Sequence, residues 1–155
     1  MNHFFYMNEA LKEAEIAFEK GEVPVGAVLV CDEKIIAVSH NCVEEKRDAS
    51  CHAEMEVLRK ASKEWGNWRL QHCTLYCTLE PCAMCAGAMT LFRIERLVYG
   101  ASDHRHGALG SWIDLFKEPH PIHSFDIVGG ILEEKSSYLL TSFFQKRRKF
   151  HAGII

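Results

Sequence analysis

The chain has 155 residues, 48% hydrophobic and 25% charged, with a formal net charge of −3. A chain of this size can bury roughly 68 to 70% of its unfolded surface, so a single globular domain over residues 1–155 is expected, with disorder confined to the last few residues. No window approaches the ~18 apolar residues of a membrane span, and the acidic balance excludes a uniformly basic nucleic-acid coat.

Charge is unevenly distributed. Residues 1–20 carry four Glu against two Lys, whereas Lys146, Arg147, Arg148 and Lys149 lie in a C-terminal stretch without an acid. A local phosphate-binding patch is therefore compatible with a net negative chain. The seven cysteines are an odd number, and Met1 to Tyr6 lacks the basic region and long apolar run of a signal peptide, so the reducing cytoplasm is the expected compartment. Cys31, Cys42, Cys73 and Cys77 sit in apolar or strand-like segments and read as small buried hydrophobes. Cys51 is open to two readings, a cavity lining or simple packing.

In chain order, Asn8 is placed to cap a helix over about Glu9 to Lys20, with Ala10, Ala14, Ala17 and Phe18 on one face and Gly21 as its stop. Val23 to Val30 reads as a buried central strand, with Pro24 tolerable only at its beginning. Asp32-Glu33-Lys34 turns the chain into a partner strand, Ile35 to His40. Asn41 to Ser50 reads as a polar loop, followed by a helix from His52 to about Glu64 that Trp65-Gly66-Asn67-Trp68 interrupts. Cys73 to Thr78 is a third strand, Leu79-Glu80-Pro81 a turn, and the next helix carries Cys82 and Cys85. Leu97 to Gly100 is a strand. Residues 101–121 form a connection long enough to suggest a lid or rim, with a short amphipathic piece at Trp112 to Phe116. Phe125 to Val128 reads as an edge strand and Glu133 to Lys149 as a final helix with Leu139, Leu140, Phe143 and Phe144 on its apolar side. Strands alternating with helices define an α/β fold, and the opening hairpin makes its sheet mixed.

The chemistry concentrates in His52-Ala53-Glu54 and Pro81-Cys82-Ala83-Met84-Cys85. One imidazole and two thiolates make a three-ligand zinc set that leaves a fourth position for water or substrate, the composition of a catalytic site and not of a closed structural one. Cys82 and Cys85 are three apart at a helix start, so they share a face, and the helix dipole favours their thiolate forms. Glu54 stands two residues from the His, where a carboxylate can move protons without binding the ion. A lone Cys-x-x-Cys also suits a redox dithiol or a structural zinc; the added His-x-Glu favours catalysis.

His-x-Glu with Pro-Cys-x-x-Cys is the pattern of zinc nucleobase deaminases. The likeness extends further, through Gly21 to Val28, Asn41, Gly66-Asn67-Trp68-Arg69-Leu70, Thr78 to Ala88, Gly107 to Ser111 and Phe143 to Arg148. In these residues the chain resembles the bacterial tRNA-specific adenosine deaminase family, related to the cytidine and deoxycytidylate deaminases. The resemblance implies a three-layer α/β/α fold around a central mixed sheet of mostly five strands. It also implies hydrolytic conversion of the first anticodon adenosine to inosine, typically in the arginine tRNA, by a homodimer with one Zn2+ per subunit. His52, Cys82 and Cys85 match the zinc ligands, Glu54 the proton shuttle and Asn41 the pocket asparagine; Asp103 matches a loop acid, although a turn cap is an equal physical reading of it. Arg105, His106, Phe144, Arg147 and Arg148 are candidate contacts to the anticodon loop, with helix-dipole stabilisation and core packing as the competing readings of the last helix. Where the family usually has Asp-Pro-Lys, this chain has Asp103-His104-Arg105-His106. Two further functions suit the same residues: deamination of a free base or nucleoside such as guanine or cytosine, and a catalytically silent zinc-containing RNA-binding module. The silent module has no need of Glu54.

Overall fold

The computed structural model describes residues 1–153; the last two residues of the expected domain, 154–155, lie outside it. Its elements in chain order are α1 (His3–Glu19), β1 (Gly26–Cys31), β2 (Lys34–His40), α2 (Val43–Lys46), α3 (Ala53–Trp65), β3 (Cys73–Leu79), α4 (Ala83–Leu91), β4 (Arg96–Ala101), β5 (Asp126–Val128) and α5 (Glu133–Ala152). The five strands form one sheet in the order β2-β1-β3-β4-β5. β1 pairs antiparallel with both β2 and β3, while β3, β4 and β5 run parallel. Four strands thus point one way and β1 the other, and the carboxyl ends of β2, β3 and β4 lie along one edge. That edge is where open α/β sheets place their ligands.

The two sheet faces divide the core by strand alternation. Ala27, Leu29 and Cys31 of β1, with Cys73, Leu75 and Cys77 of β3, pack with Val57, Leu58 and Ala61 of α3 and Met89 of α4. Val28, Val30, Tyr76 and Val98 face the other way, against Tyr6, Met7 and Ala10 of α1. α5 joins α1 through an edge-to-face contact of Phe143 with Phe18, ring centroids 5.8 Å apart. The result is the expected cytidine deaminase-like layering of helices on both faces of a mixed sheet. No helix among the described residues is long and apolar enough to cross a membrane.

Several boundaries differ from expectation for local reasons. α1 begins at His3, capped by Asn2, whose side chain accepts from the Phe5 amide at 3.1 Å. Asn8 is not the cap; it lies inside the helix and donates to the Phe4 carbonyl at 2.9 Å. The β1 ladder starts at Gly26, leaving Val23 to Val25 as an approach segment that turns at a Val25 amide–Val23 carbonyl bond. The stretch read as a polar loop contains α2, a helix of four residues. The Trp112 to Phe116 piece forms turns around a bridge between Leu109 and Asp114.

At Gly26 the backbone of α1 lies hard against the sheet: a Cβ there would overlap the Ala10 carbonyl and crowd the Ala14 amide. Since the obstruction is backbone, it cannot rotate away. Gly26→Ala is expected to lower stability by about 1–3 kcal/mol, the usual penalty of overpacking, read as a reduced urea midpoint with an unchanged slope.

Candidate metal centre and substrate cavity

Two helix starts converge at the sheet edge. His52 is the N-cap of α3 and Cys82 the N-cap of α4, both in extended backbone conformation with no side-chain capping bond. Because their side chains do not cap the helices, both are free to turn toward each other. Cys85, one turn into α4, is fully buried. His52 Nδ1 lies 3.6 Å from Cys82 Sγ and 3.5 Å from Cys85 Sγ, and these three form a group capable of holding a metal ion. A tetrahedral ion at ordinary thiolate and imidazole bond lengths separates its S and N ligand atoms by about 3.6 Å. Both separations from His52 therefore match such an ion.

Protonation points the same way. Without a cation the two thiols share one proton: the Cys82 thiol is lowered to about 4, mainly by a hydrogen bond from Cys85 and also by one with His52. The Cys85 thiol is raised, by its bond to Cys82 and by burial. A second thiolate beside the first needs a positive charge between them, which a divalent ion supplies. His52 is itself raised, mainly by its bond to Cys82. Glu54, in the first turn of α3, is almost fully buried, and burial raises its carboxyl above the ordinary range. Burial thus strengthens its hold on a proton, as a proton carrier requires. Beneath it Cys77 on β3 is buried and its thiol pushed well up, so it is an inert wall.

The centre opens into a cavity of about 760 Å3 lined by His52, Glu54 and Cys82 at the base. Asn41 stands at the end of β2 with its amide NH2 donating to the Val23 carbonyl at 3.3 Å. Its Oδ1 is buried and has no partner. An orphaned acceptor of this kind is costly unless something else occupies it, and this one sits in the cavity wall. Asp103, Arg105 and His106 line the cavity from the loop after β4, and Phe144, Arg147 and Arg148 line it from α5. Phe143 is core, while Phe144 is 40% exposed; adjacent aromatics have separate positions. Asp103 also caps its own turn, its Oδ1 accepting from the Arg105 and His106 amides at 3.0 and 3.2 Å, so the turn-cap reading of this residue describes its contacts. Cys51 is buried and its carbonyl accepts from the Cys42 amide, which is the packing reading.

Sequence reasoning overlooked two buried carboxylates at this cavity, Glu22 and Glu80. Glu22 accepts from the Glu44 and Glu45 amides at 2.7 and 3.2 Å, which gives α2 the N-terminal cap that Cys42 does not provide. Glu80 holds the loop after β4. Both lay within the motif stretches as residues of apparent turns; the only available signal was a carboxylate flanked by apolar or proline neighbours.

A mixed sheet with a His/Cys/Cys centre at the carboxyl edge of its strands defines a deaminase domain, and the family model described as MafB19-like deaminase matches residues 1–148. The tRNA-specific adenosine deaminase of Bacillus subtilis is 49% identical over 144 residues, covering 93% of this chain and 89% of that protein. A solved structure from work on A-to-I editing by tRNA:A34 deaminases at the wobble position superposes with a TM-score of 0.84 at 45% identity, covering 88% of this chain and 99% of the other. The guanine deaminase of Bacillus subtilis is more distant, with 33% identity and a TM-score of 0.64 over 96% of this chain and 95% of that one. The chain belongs to the tRNA-specific adenosine deaminase family.

The uneven thiols give a direct check on the centre. In metal-free protein near pH 6, above the lowered Cys82 value of about 4, Cys82 is expected to be the reactive thiolate, whereas burial holds Cys42 up at about 11. Iodoacetamide is therefore expected to modify Cys82 ahead of Cys42, Cys73 and Cys77, and a bound metal ion to protect it. Peptide mass mapping with and without chelator reads both.

Proposed function

We propose that this protein deaminates the first anticodon adenosine of a tRNA to inosine, using a zinc ion held by His52, Cys82 and Cys85. The observation that carries this reading is the coincidence of the tetrahedral donor set with an almost fully buried Glu54 at the base of one cavity. Zinc in such a three-ligand site supplies Lewis acidity that makes water a nucleophile near neutral pH.

The chain's own residues supply the rest. Glu54 accepts a proton from the attacking water as oxygen bonds to C6 of the adenine, and delivers it to N1 of the ring. The same carboxylate then takes the proton of the new C6 hydroxyl and passes it to the amino nitrogen, so that the C6–N bond breaks, ammonia leaves and the oxygen remains as the C6 carbonyl of inosine. Asn41 presents its unpartnered oxygen as an acceptor, because the Val23 carbonyl holds the NH2 end away; it reads a donor on the flipped nucleoside. Cys82 and His52 sit at the base, so the amino-bearing carbon must enter edge-on, which an unstacked loop nucleotide can do at little unpairing cost.

Asp103, Arg105, His106, Phe144, Arg147 and Arg148 form the RNA-binding rim. A half-exposed Phe144 offers a stacking face, and the cations engage phosphates of the anticodon loop. The arginine tRNA is the substrate the family resemblance favours. One domain per subunit, one zinc per domain and a homodimer complete the proposal; exposed Met84 and Leu91 on α4 are consistent with a surface that a second subunit covers. The seven free cysteines suit the reducing cytoplasm.

The experiment is incubation of zinc-loaded protein with an anticodon stem-loop bearing a first-position adenosine, with free adenosine, cytosine and guanine in parallel. Inosine in the stem-loop alone is the expected result; conversion only of a free base would transfer the reading to the guanine deaminase type, and binding without conversion would make the protein a silent module. Glu54→Ala is expected to abolish ammonia release while keeping zinc and the melting transition; unaltered turnover would refute the proton-carrier role. Arg147→Ala and Arg148→Ala are each expected to flatten the dependence of log affinity on log salt by about 0.7, one single-strand phosphate contact apiece. A titration between 50 and 200 mM salt, on the order used for such slopes, reads it.

A further inference from the structure

The cavity wall formed by residues 103–111 packs on the body of the protein through only two apolar side chains, Ala108 and Leu109. Ala108 is its fully buried side chain, while His104, Arg105, His106 and Gly110 are exposed. Four of its hydrogen bonds to the body converge on one carboxylate. Glu80, 2% exposed, accepts at Oε1 from the Asp103 amide at 3.3 Å and from the Ser111 hydroxyl. At Oε2 it accepts from the Leu109 and Ser111 amides at 3.1 and 3.3 Å. The loop wraps so closely that a Cβ on Gly107 would overlap this carboxylate and the Asp103 carbonyl. Glu80 immediately precedes Pro81 and Cys82, and the loop is tied to the same turn by the Ala108 amide on the Pro81 carbonyl at 2.9 Å and by a bridge between Gly107 and Cys82.

We infer that Glu80 is a positioning residue for substrate: its carboxylate sets the rim that carries Asp103, Arg105 and His106 relative to the metal centre. The chain of contacts is continuous. Glu80 fixes the Asp103 amide, and Asp103 in turn caps the Arg105 and His106 amides, so displacing one carboxylate displaces both Arg105 and His106. The requirement is for a group that accepts at both ends. Each Glu80 oxygen faces at least one backbone N–H, which cannot reverse its polarity, so glutamine is unacceptable in either orientation because its NH2 always meets a donor. Aspartate is one methylene too short to reach the same donors. The inference rests on the RNA-deaminase reading above and deepens it by separating grip from chemistry.

The test compares Glu80→Gln with its parent in two backgrounds. In the Glu54→Ala background, where substrate stays intact, binding of the adenosine-bearing anticodon stem-loop is followed by fluorescence anisotropy; the affinity is expected to fall about 10-fold or more, as for loss of charge-assisted hydrogen bonds. In the active background KM is expected to rise by a comparable factor, with kcat within about 3-fold of the parent and zinc content unchanged, because Glu54 and the donors stand on α3 and α4. Ser111→Ala removes one of the four donors and is expected to give a smaller KM effect of the same kind. Equal affinity in parent and variant overturns the inference, as does an affinity loss accompanied by loss of zinc, which would make Glu80 a support of the metal turn. Should Glu80→Gln fail to melt cooperatively, Ser111→Ala decides by the same criteria. If the parent itself does not deaminate the stem-loop, the RNA-deaminase reading fails, and the binding comparison still judges Glu80.

Discussion

Everything at this site depends on two helices beginning at the same point. A helix start exposes unpaired amides and a partial positive charge, and here α3 and α4 aim two such ends at one small volume occupied by His52, Cys82 and Cys85. The sheet enforces the convergence. β2, β3 and β4 end along a common edge, and α3 and α4 both leave from it on the same face of the sheet. Thiolates, a buried carboxylate and an attacking oxygen would be unfavourable together in an ordinary apolar core. Here Cys82 is acidified by its hydrogen bonds with Cys85 and His52, while burial raises the neighbouring Glu54 carboxyl.

Around that centre the burial of polar groups is asymmetric in a telling way. Glu22 and Glu80 are buried and their carboxylates receive amide donors from α2 and from the loop after β4. Among the buried side chains of the described residues, Asn41 alone leaves an acceptor unfilled. Carboxylates that are satisfied build walls; the amide that is not satisfied awaits a ligand. The distinction separates scaffold from recognition at this cavity better than burial alone does, since Asn41, Glu22 and Glu80 are all buried.

The donor set was legible in the sequence because metal binding on helix starts is a local demand: Cys82 and Cys85 must be one turn apart, and Glu54 must follow its histidine closely. The alternation of strands and helices was legible for the same reason, as a periodicity of apolar residues. The features that escaped are those decided by distant partners. α2 is too short to announce itself and exists against the Glu22 carboxylate, which lies more than twenty positions earlier in the chain. The first helix was begun late because Asn2 and Asn8 are both capable caps, and only the packing of Tyr6 and Met7 on the sheet selects the earlier one. Glu80 looked like a turn residue because the loop it holds follows it by some twenty to thirty positions.

The placement of α5 has a consequence for how such an enzyme changes over time. All three metal donors, Glu54 and Asn41 lie in the first 85 residues, whereas the cationic rim lies beyond β4 and along α5, which reaches the body of the protein through Phe143 and its neighbours. Substitutions in the last third of the chain therefore reshape the cavity rim without touching the donor set. A lineage built this way can drift at its tail while the donor set is passed on as an inherited constant.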